Sequence, residues 1–138
     1  MNRSCLALAV AALAAMAAPV QAQAGTLSLD LNATEAAENG CRATFVGQNG
    51  LDAPIERLSF EVVLFDGQGL VTRMLALDFG EMATGRTKVL QFTLPGEGCQ
   101  DIGRVLINDV AACEGPEDAS ICLDALTTES RSGITFGL

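Results

Sequence analysis

The sequence predicts an all-β protein, an antiparallel β-sandwich of about seven short strands closed by two disulfides. The first observation is the stretch Leu58–Phe92, where three apolar-rich segments follow one another at roughly ten-residue spacing with glycine-containing turns between them. The second is an even set of cysteines after an apolar N-terminal segment. These cysteines are Cys41, Cys99, Cys113 and Cys122.

The N-terminal segment, residues 1–24, is predicted to be a secretory signal peptide. Arg3 supplies its positive charge, and an almost unbroken apolar run, Cys5–Ala18, follows. Small residues allow cleavage after Ala22 or Ala24. The run is too short and wrongly flanked for a permanent transmembrane helix. We therefore expect the mature chain, residues 25–138, to be one exported domain, periplasmic or extracellular, without a membrane span.

Strands are predicted where apolar and polar residues alternate, and their ends where turn residues cluster. The signals include Asn39-Gly40, Asn49-Gly50 and Pro95-Gly96. No helix is predicted after the signal peptide. The predicted strands are Thr26–Leu31, Cys41–Gln48, Leu58–Asp66, Leu70–Phe79, Arg86–Leu94, Ile102–Val110 and a final one near Leu126–Phe136.

One face of each strand is predicted to line the core. In the second strand this face holds Cys41, Ala43 and Phe45. In the central strand, Leu58–Asp66, it holds the residues at even positions, while the other face becomes apolar at Val63 and Phe65. We expect the second half of that face to be covered. If it is uncovered, it forms an exposed apolar patch, which would indicate a partner surface.

Seven short strands in a chain of this length fit an immunoglobulin-like sandwich. Four cysteines allow three pairings. In this topology the second and sixth strands begin at the same end, and Cys41 and Cys99 lie at or just before those starts. Cys113 and Cys122 flank the loop after the sixth strand, at the other end. We therefore predict Cys41–Cys99 and Cys113–Cys122. Zinc, the rival interpretation, is disfavoured because the chain has no CxxC pair and no histidine.

Part of the chain resembles the FxLYD-type domain, an immunoglobulin-like extracytoplasmic domain of uncertain function in prokaryotic secreted proteins. The matching features are Phe45–Asn49, Val62–Asp66, Gly69, Gly85 and Phe92. They follow the family's order of a strand ending in Asn, an F-x-L-Y-D strand, a D-x-x-G turn and a P-G-x-x-x-x-F strand.

The resemblance covers about residues 41–94 and departs from the motif at three positions. Val62 stands for the motif's Phe, Phe65 for its Tyr, and Thr84 for the proline before the glycine, whereas Leu64 and Asp66 match. The resemblance implies a fold and an envelope location. It brings no catalytic residue and does not reach the last three cysteines.

Composition restricts the chemistry of the mature chain. All 17 acidic residues but only seven of the eight basic ones lie in residues 25–138, which gives a net charge of −10. Such a charge disfavours nucleic acid and anionic lipid as partners. Without histidine, Ser-His-Asp and Cys-His catalysis are impossible. Phosphate-binding glycine motifs are also absent. We therefore predict no catalytic residue, no cofactor and no metal site.

The sequence favours an interaction or accessory module of non-enzymatic type. Its candidate partner loop contains Glu114, Glu117 and Asp118 between Cys113 and Cys122, with no basic residue among them. A loop tied at its base would suit a basic protein partner. Alternatively, the second disulfide only staples a solvated turn. Two other functions stay open: binding of a small ligand or divalent cation, and hydrolysis by two carboxylates, which the absence of Trp and Tyr disfavours.

Overall fold

The computed structural model describes residues 25–138, which form eight strands in two four-stranded sheets. The predicted signal peptide, residues 1–24, lies outside the described residues. Within residues 25–138 the α-helix has four residues, so no helix there is long enough to cross a membrane. A 3₁₀ helix spans Cys99–Asp101, and α1 spans Ile121–Asp124. The strands are β1 (Leu27–Ala37), β2 (Gly40–Asn49), β3 (Ile55–Phe65), β4 (Val71–Met82), β5 (Thr87–Pro95), β6 (Arg104–Glu114), β7 (Leu126–Ser130) and β8 (Thr135–Gly137).

The two sheets pack around one hydrophobic core. The first sheet has the order β5-β2-β1-β7, and the second has the order β4-β3-β6-β8. All pairs among strands β1 to β6 are antiparallel, whereas β7 lies parallel to β1 and β8 lies parallel to β6. The predicted β-sandwich with two disulfides is confirmed, with eight strands rather than seven.

The end of the chain differs from the prediction of a single strand near Leu126–Phe136. β7 ends at Ser130, and the chain turns through Gly133, whose φ of +85° favours glycine. β8 then begins at Thr135, beside β6 in the other sheet. Serine and glycine in this turn interrupt the apolar alternation, so the last segment contributes one short strand to each sheet.

The core lies where the alternation of β2 and β3 predicts it. Phe45 is fully buried, and its ring meets Phe79, Phe92 and Phe136 edge to face, with centroid distances of 5.6, 5.8 and 5.3 Å. Edge-to-face pairs of this kind add to the free energy gained from burial alone. The other inward residues predicted in these strands are at most 1% exposed, and they are Cys41, Ala43, Leu58, Phe60, Val62 and Leu64.

Both predicted disulfides are confirmed, and they lie at opposite ends of the sandwich. Cys41, at the start of β2, bonds Cys99 in the 3₁₀ helix before β6. Cys113, near the end of β6, bonds Cys122 in α1, a helix that the sequence does not predict. Two disulfides in a domain of this size are typical of proteins that fold in an oxidising compartment.

Asn49, the last residue of β2, is a fully buried polar side chain that connects the two sheets. Its Nδ2 group donates to the carbonyl oxygens of Ala53 at 3.0 Å and Met82 at 2.9 Å, and its Oδ1 accepts from the Leu51 N–H at 2.9 Å. Its backbone oxygen accepts from the Gly85 N–H at 2.7 Å. One residue therefore fixes the end of β2, the connection to β3 and the connection between β4 and β5.

We expect the Cys41→Ser/Cys99→Ser variant to lose more stability than the Cys113→Ser/Cys122→Ser variant. The disulfides join residues separated by 58 and 9 positions. On the loop-entropy model these loops correspond to about 4 and about 3 kcal/mol. Urea denaturation of both variants measures the two losses, after non-reducing peptide mapping of the wild type has verified the pairings. Equal losses, or a larger loss from the shorter loop, would contradict this expectation.

Replacement of Asn49 by leucine should destabilise the protein by about 2–4 kcal/mol, because buried carbonyl and N–H groups lose their partner. Asn32→Leu is the matched control, since Asn32 lies in β1 and makes one part-buried hydrogen bond to Asp30. It should cost less than about 1 kcal/mol. Denaturant unfolding of the two variants compares their free energies of unfolding. Similar losses in both variants would show that the hydrogen bonds of Asn49 contribute no more stability than the single bond of Asn32.

Candidate functional site

Two parts of the surface combine exposed chemical groups with a rigid support, and they lie at opposite ends of the second sheet. The first is the predicted partner loop, which begins where Cys113 lies opposite Leu58. The second is an apolar surface around Phe65, at the other end of β3. A strand rises about 3.3 Å per residue, so the path from Leu58 to Phe65 separates the two by roughly 23 Å.

The predicted partner loop places its three acidic side chains in different environments. Glu114 is the last residue of β6, and Glu117 lies beyond it in the loop; both are exposed. Asp118 Oδ1 accepts from the Ser120 N–H at 3.0 Å. Hydrogen bonding by the Ser120 side chain and then by its N–H lowers the pKa of the Asp118 carboxyl. The Asp118 carboxylate therefore helps to hold the loop's own turn.

The fold supplies a basic partner that the loop sequence lacks. Arg57 of β3 lies opposite Glu114 of β6, with Nη1 4.0 Å from Oε1. The same guanidinium binds Asp78 of β4, with Nη2 3.1 Å from Oδ2. All three side chains are about half exposed, so these ion pairs contribute little stability. They do compensate Glu114, which leaves Glu117 and Asp118 as the negative end of the loop.

The loop is packed against the chain that leads into β3. Gly115 has a φ of +114°, and a Cβ there would lie 2.6 Å from the Pro54 carbonyl oxygen. Ile121 lines two shallow clefts of about 310 and 300 Å³, one shared with Leu126 and the other with Leu51. The disulfide, the glycine contact and Ile121 together hold the loop on the sandwich.

The second surface, here called the apolar face, is the outer side of the second sheet at the Phe65 end. It consists of two rows across neighbouring strands: Met74, Val63 and Leu106 in one, and Val71 and Phe65 in the other. Val63 is only 5% exposed between its neighbours, as predicted, whereas Met74 and Val71 are each 56% exposed. No further layer of residues 25–138 covers these two side chains.

Two arginines border the apolar face. Arg104 lies over the Phe65 ring, with Cζ 5.8 Å from its centroid. Arg73 lies on β4 beside Met74. Neither forms a salt bridge to an Asp or Glu side chain within residues 25–138, although Arg104 Nη2 donates to the Leu138 oxygen at 3.2 Å. Among the carboxylates of the same sheet, Asp66 accepts from two backbone N–H groups and Glu61 accepts from Asn108 at 2.7 Å. The apolar face is therefore bordered by two guanidinium groups that pair with no acidic side chain of residues 25–138.

The sequence identified Val63 and Phe65 as a possible patch but not Met74 or Leu106. Alternation could have placed Met74 on the outer side of its strand. It could not have shown that Met74 and Leu106 flank Val63, because pairing between distant strands is set by the whole fold. Leu70, which directly precedes Val71 in the connection between β3 and β4, is 65% exposed.

A polar depression of about 290 Å³ lies on the outer side of the first sheet. Within it, Asp30 Oδ2 accepts from Asn32 Nδ2 at 3.0 Å and forms an ion pair with Arg131, whose Nε lies 3.2 Å away. The other carboxylate oxygen, Oδ1, is buried and has no hydrogen-bond partner among residues 25–138. Glu129 lies directly opposite on β7. The remaining polar lining comes from Ser28, Gln48, Thr87 and Thr127.

The described part of the chain contains no obvious metal centre. No three cysteine or acidic side chains of residues 25–138 are grouped in a way that could hold an ion. All four described cysteines are in disulfides. A cation at the predicted partner loop would therefore have to bind mainly through Glu117, Asp118 and backbone oxygens.

Comparison with known proteins identifies no relative of this chain. No protein-family model, no curated protein and no solved structure matches it. Its function has to be inferred from its own residues.

Replacement of Ser120 by alanine should raise the pKa of Asp118 towards its usual value, since the Ser120 side chain is the largest cause of the lowering. Because the folded-state pKa lies below the unfolded one, this hydrogen bonding stabilises the fold above the unfolded-state pKa. The stabilisation is lost as pH falls through the folded-state pKa. An NMR titration of the carboxyl carbons measures the change.

Asp78 is the internal control for this titration. Its pKa is lowered by the Gly80 N–H and then by Arg57, neither of which the Ser120→Ala substitution touches. The Asp78 titration should therefore stay where it is. An unchanged Asp118 titration would show that the turn does not depend on Ser120.

Proposed function

We propose that this protein is an exported, non-enzymatic interaction module that binds another protein through its apolar face. The exposed side chains of this region carry the proposal: Leu70 is 65% exposed, and Val71 and Met74 are each 56% exposed. Scattered apolar residues on a surface are ordinary, but a contiguous group beside buried neighbours is typical of an interaction site. The predicted partner loop would be a second, charged contact at the other end of the sandwich.

Export is supported by two independent features. The first 24 residues have the charge, apolar run and small residues of a secretory signal peptide. The two disulfides fit an oxidising compartment such as the periplasm or the extracellular space.

An immunoglobulin-like relationship of the FxLYD type fits the order of the first six strands. Strands β1, β2 and β5 form one sheet, and β3 and β6 are neighbours in the other, with β4 beside β3. Immunoglobulin variable domains extend the second sheet in the same way. The parallel pairings of β7 with β1 and of β8 with β6 depart from that fold, whose sheets are antiparallel.

A second candidate function is the binding of a small polar ligand in the depression beside Asp30. The buried Oδ1 atom without a hydrogen-bond partner favours it, because such an atom usually has one. The opposed carboxylates of Asp30 and Glu129 are also the pair that a two-carboxylate hydrolase would use.

Replacement of Leu70 by lysine should reduce capture of the natural partner about tenfold, because it places a charge in the apolar contact. Val89→Lys is the matched control, since Val89 is 63% exposed but lies on β5 in the other sheet. The mature protein is used to capture partners from the envelope fraction of its source cells, followed by measurement of the affinity for the purified partner. Equal binding by the two variants would exclude the apolar face.

The other functions have their own readouts. A hydrolase screen tests for an enzyme: activity that the Asp30→Asn substitution abolishes would overturn the non-enzymatic assignment. Calorimetry with calcium and with small polar ligands tests the second candidate, which binding that Asp30→Asn abolishes would favour. Charge reversal at Glu114, Glu117 and Asp118 tests the predicted partner loop. If the rate at which the partner associates and the salt dependence of that rate stay unchanged, the loop has only a structural role.

A further inference from the structure

One half of the β4 edge is blocked by a lysine. β4 is the outer strand of the second sheet, so one side of its backbone faces no other strand of that sheet. Lys88 of β5 reaches across and donates from Nζ to the carbonyl oxygens of Phe79 at 2.8 Å and Glu81 at 2.9 Å. Lysine at a sheet edge hinders the addition of further strands. Strand addition at this end is therefore prevented.

The other half of β4, residues 71–77, has no such block. Apart from pairing with β3, no backbone–backbone hydrogen bond within residues 25–138 reaches it. This half has a β-bulge at Thr72, between the pairs Phe65–Val71 and Leu64–Arg73, and pairs regularly with β3 from Arg73 to Leu77. It carries the exposed side chains of Val71 and Met74. Soluble proteins usually protect a long, apolar edge of this kind. The contrast with the Lys88 end indicates that residues 71–77 are kept open for pairing.

Charge and polarity differ between the two sides of this open edge. Met74 lies opposite Val63 on the outer side of the sheet, whereas Arg73 lies opposite Leu64, whose side chain points into the core. The Arg73 guanidinium therefore lies at the rim between the sheets, near Gly96, and pairs with no carboxylate of residues 25–138. A strand added here would meet apolar side chains on one side and a cation on the other.

We propose that residues 71–77 of β4 bind an extended segment of a partner protein as a fifth strand of the second sheet. Successive side chains of a strand point to opposite faces, so the segment alternates apolar residues with acidic ones. The apolar residues pack beside Val71 and Met74, and an acidic residue pairs with Arg73. Backbone hydrogen bonds provide the affinity, and this alternation provides the specificity. The inference rests on the proposed function and names its partner's chemistry.

A second copy of this chain fits the edge less well. Each mature chain carries a net charge of −10, so two copies repel each other. Antiparallel pairing of β4 with itself would also bring the Arg73 side chains of both copies to the same side of the joined strands. An acidic segment removes the second cost, because it places a carboxylate beside Arg73, and it lowers the first, because a short segment carries fewer negative charges than a whole second copy.

The test uses the mature, oxidised protein and two synthetic peptides of about nine residues, one alternating valine with glutamate and one alternating valine with lysine. The glutamate peptide should bind, and hydrogen exchange of the amides of residues 71–77 should slow on binding. The lysine peptide should bind at least about tenfold more weakly. Affinity for the glutamate peptide should fall as salt is raised.

Two pairs of variants assign the site. Met74→Lys should abolish peptide binding, whereas Val89→Lys on the edge of the other sheet should not. The Arg73→Glu substitution should weaken binding of the glutamate peptide about tenfold and strengthen binding of the lysine peptide. Arg86→Glu is its matched control, because Arg86 also makes no salt bridge within residues 25–138 but lies outside β4. Circular dichroism checks that each variant is folded.

Several results would overturn the proposal. Absence of peptide binding, equal binding of both peptides, or protection of amides outside β4 would each exclude an acidic strand at this edge. If hydrogen exchange of residues 71–77 slows as the protein concentration rises without any peptide, and sedimentation shows a dimer, a second copy of the chain would be the occupant. Partner capture that depends on Leu70 but not on Met74 would preserve the proposed function and exclude strand addition.

Discussion

The sandwich depends on the buried side chain of Asn49. Backbone groups in the connection from β2 to β3 and at the end of β4 are removed from water, and the Asn49 amide binds three of them. Without these bonds, burial of the same groups would cost several kcal/mol. Because Asn49 belongs to the first sheet and Met82 to the second, this amide also aligns the two sheets. The bond to Met82 holds the last residue of β4 against the end of β2.

Net charge describes this protein poorly at the scale of a binding surface. Residues 25–138 are strongly acidic, which favours a basic partner for the domain as a whole. Around the apolar face, however, Arg73 and Arg104 pair with no Asp or Glu side chain of residues 25–138. Electrostatic effects decay over about 8–10 Å at physiological salt. A partner at this face therefore meets two guanidinium groups at short range, although the domain as a whole is acidic.

Alternation and turn residues predict most of this fold, because they report the environment of each residue along its own strand. The inward positions of β2 and β3 were predicted in this way, and both disulfides followed from the predicted strand order. The missed features are contacts between strands that are distant in sequence, such as Arg57 with Glu114 and Val63 with Met74. The division of the predicted last strand into β7 and β8 was also missed, since a strand of three residues, Thr135–Gly137, gives almost no periodic signal.

The order of the disulfides along the chain bears on biosynthesis. Cys41 bonds the next cysteine of the mature chain, Cys99, and Cys113 bonds the next after that, Cys122. A chain that enters an oxidising compartment with its N-terminus first exposes its thiols in this same order. An oxidase that joins each new thiol to the one already waiting produces the native pairs directly. For the exported protein proposed above, pairing in this order needs an oxidant of thiols but no isomerase to rearrange mispaired ones.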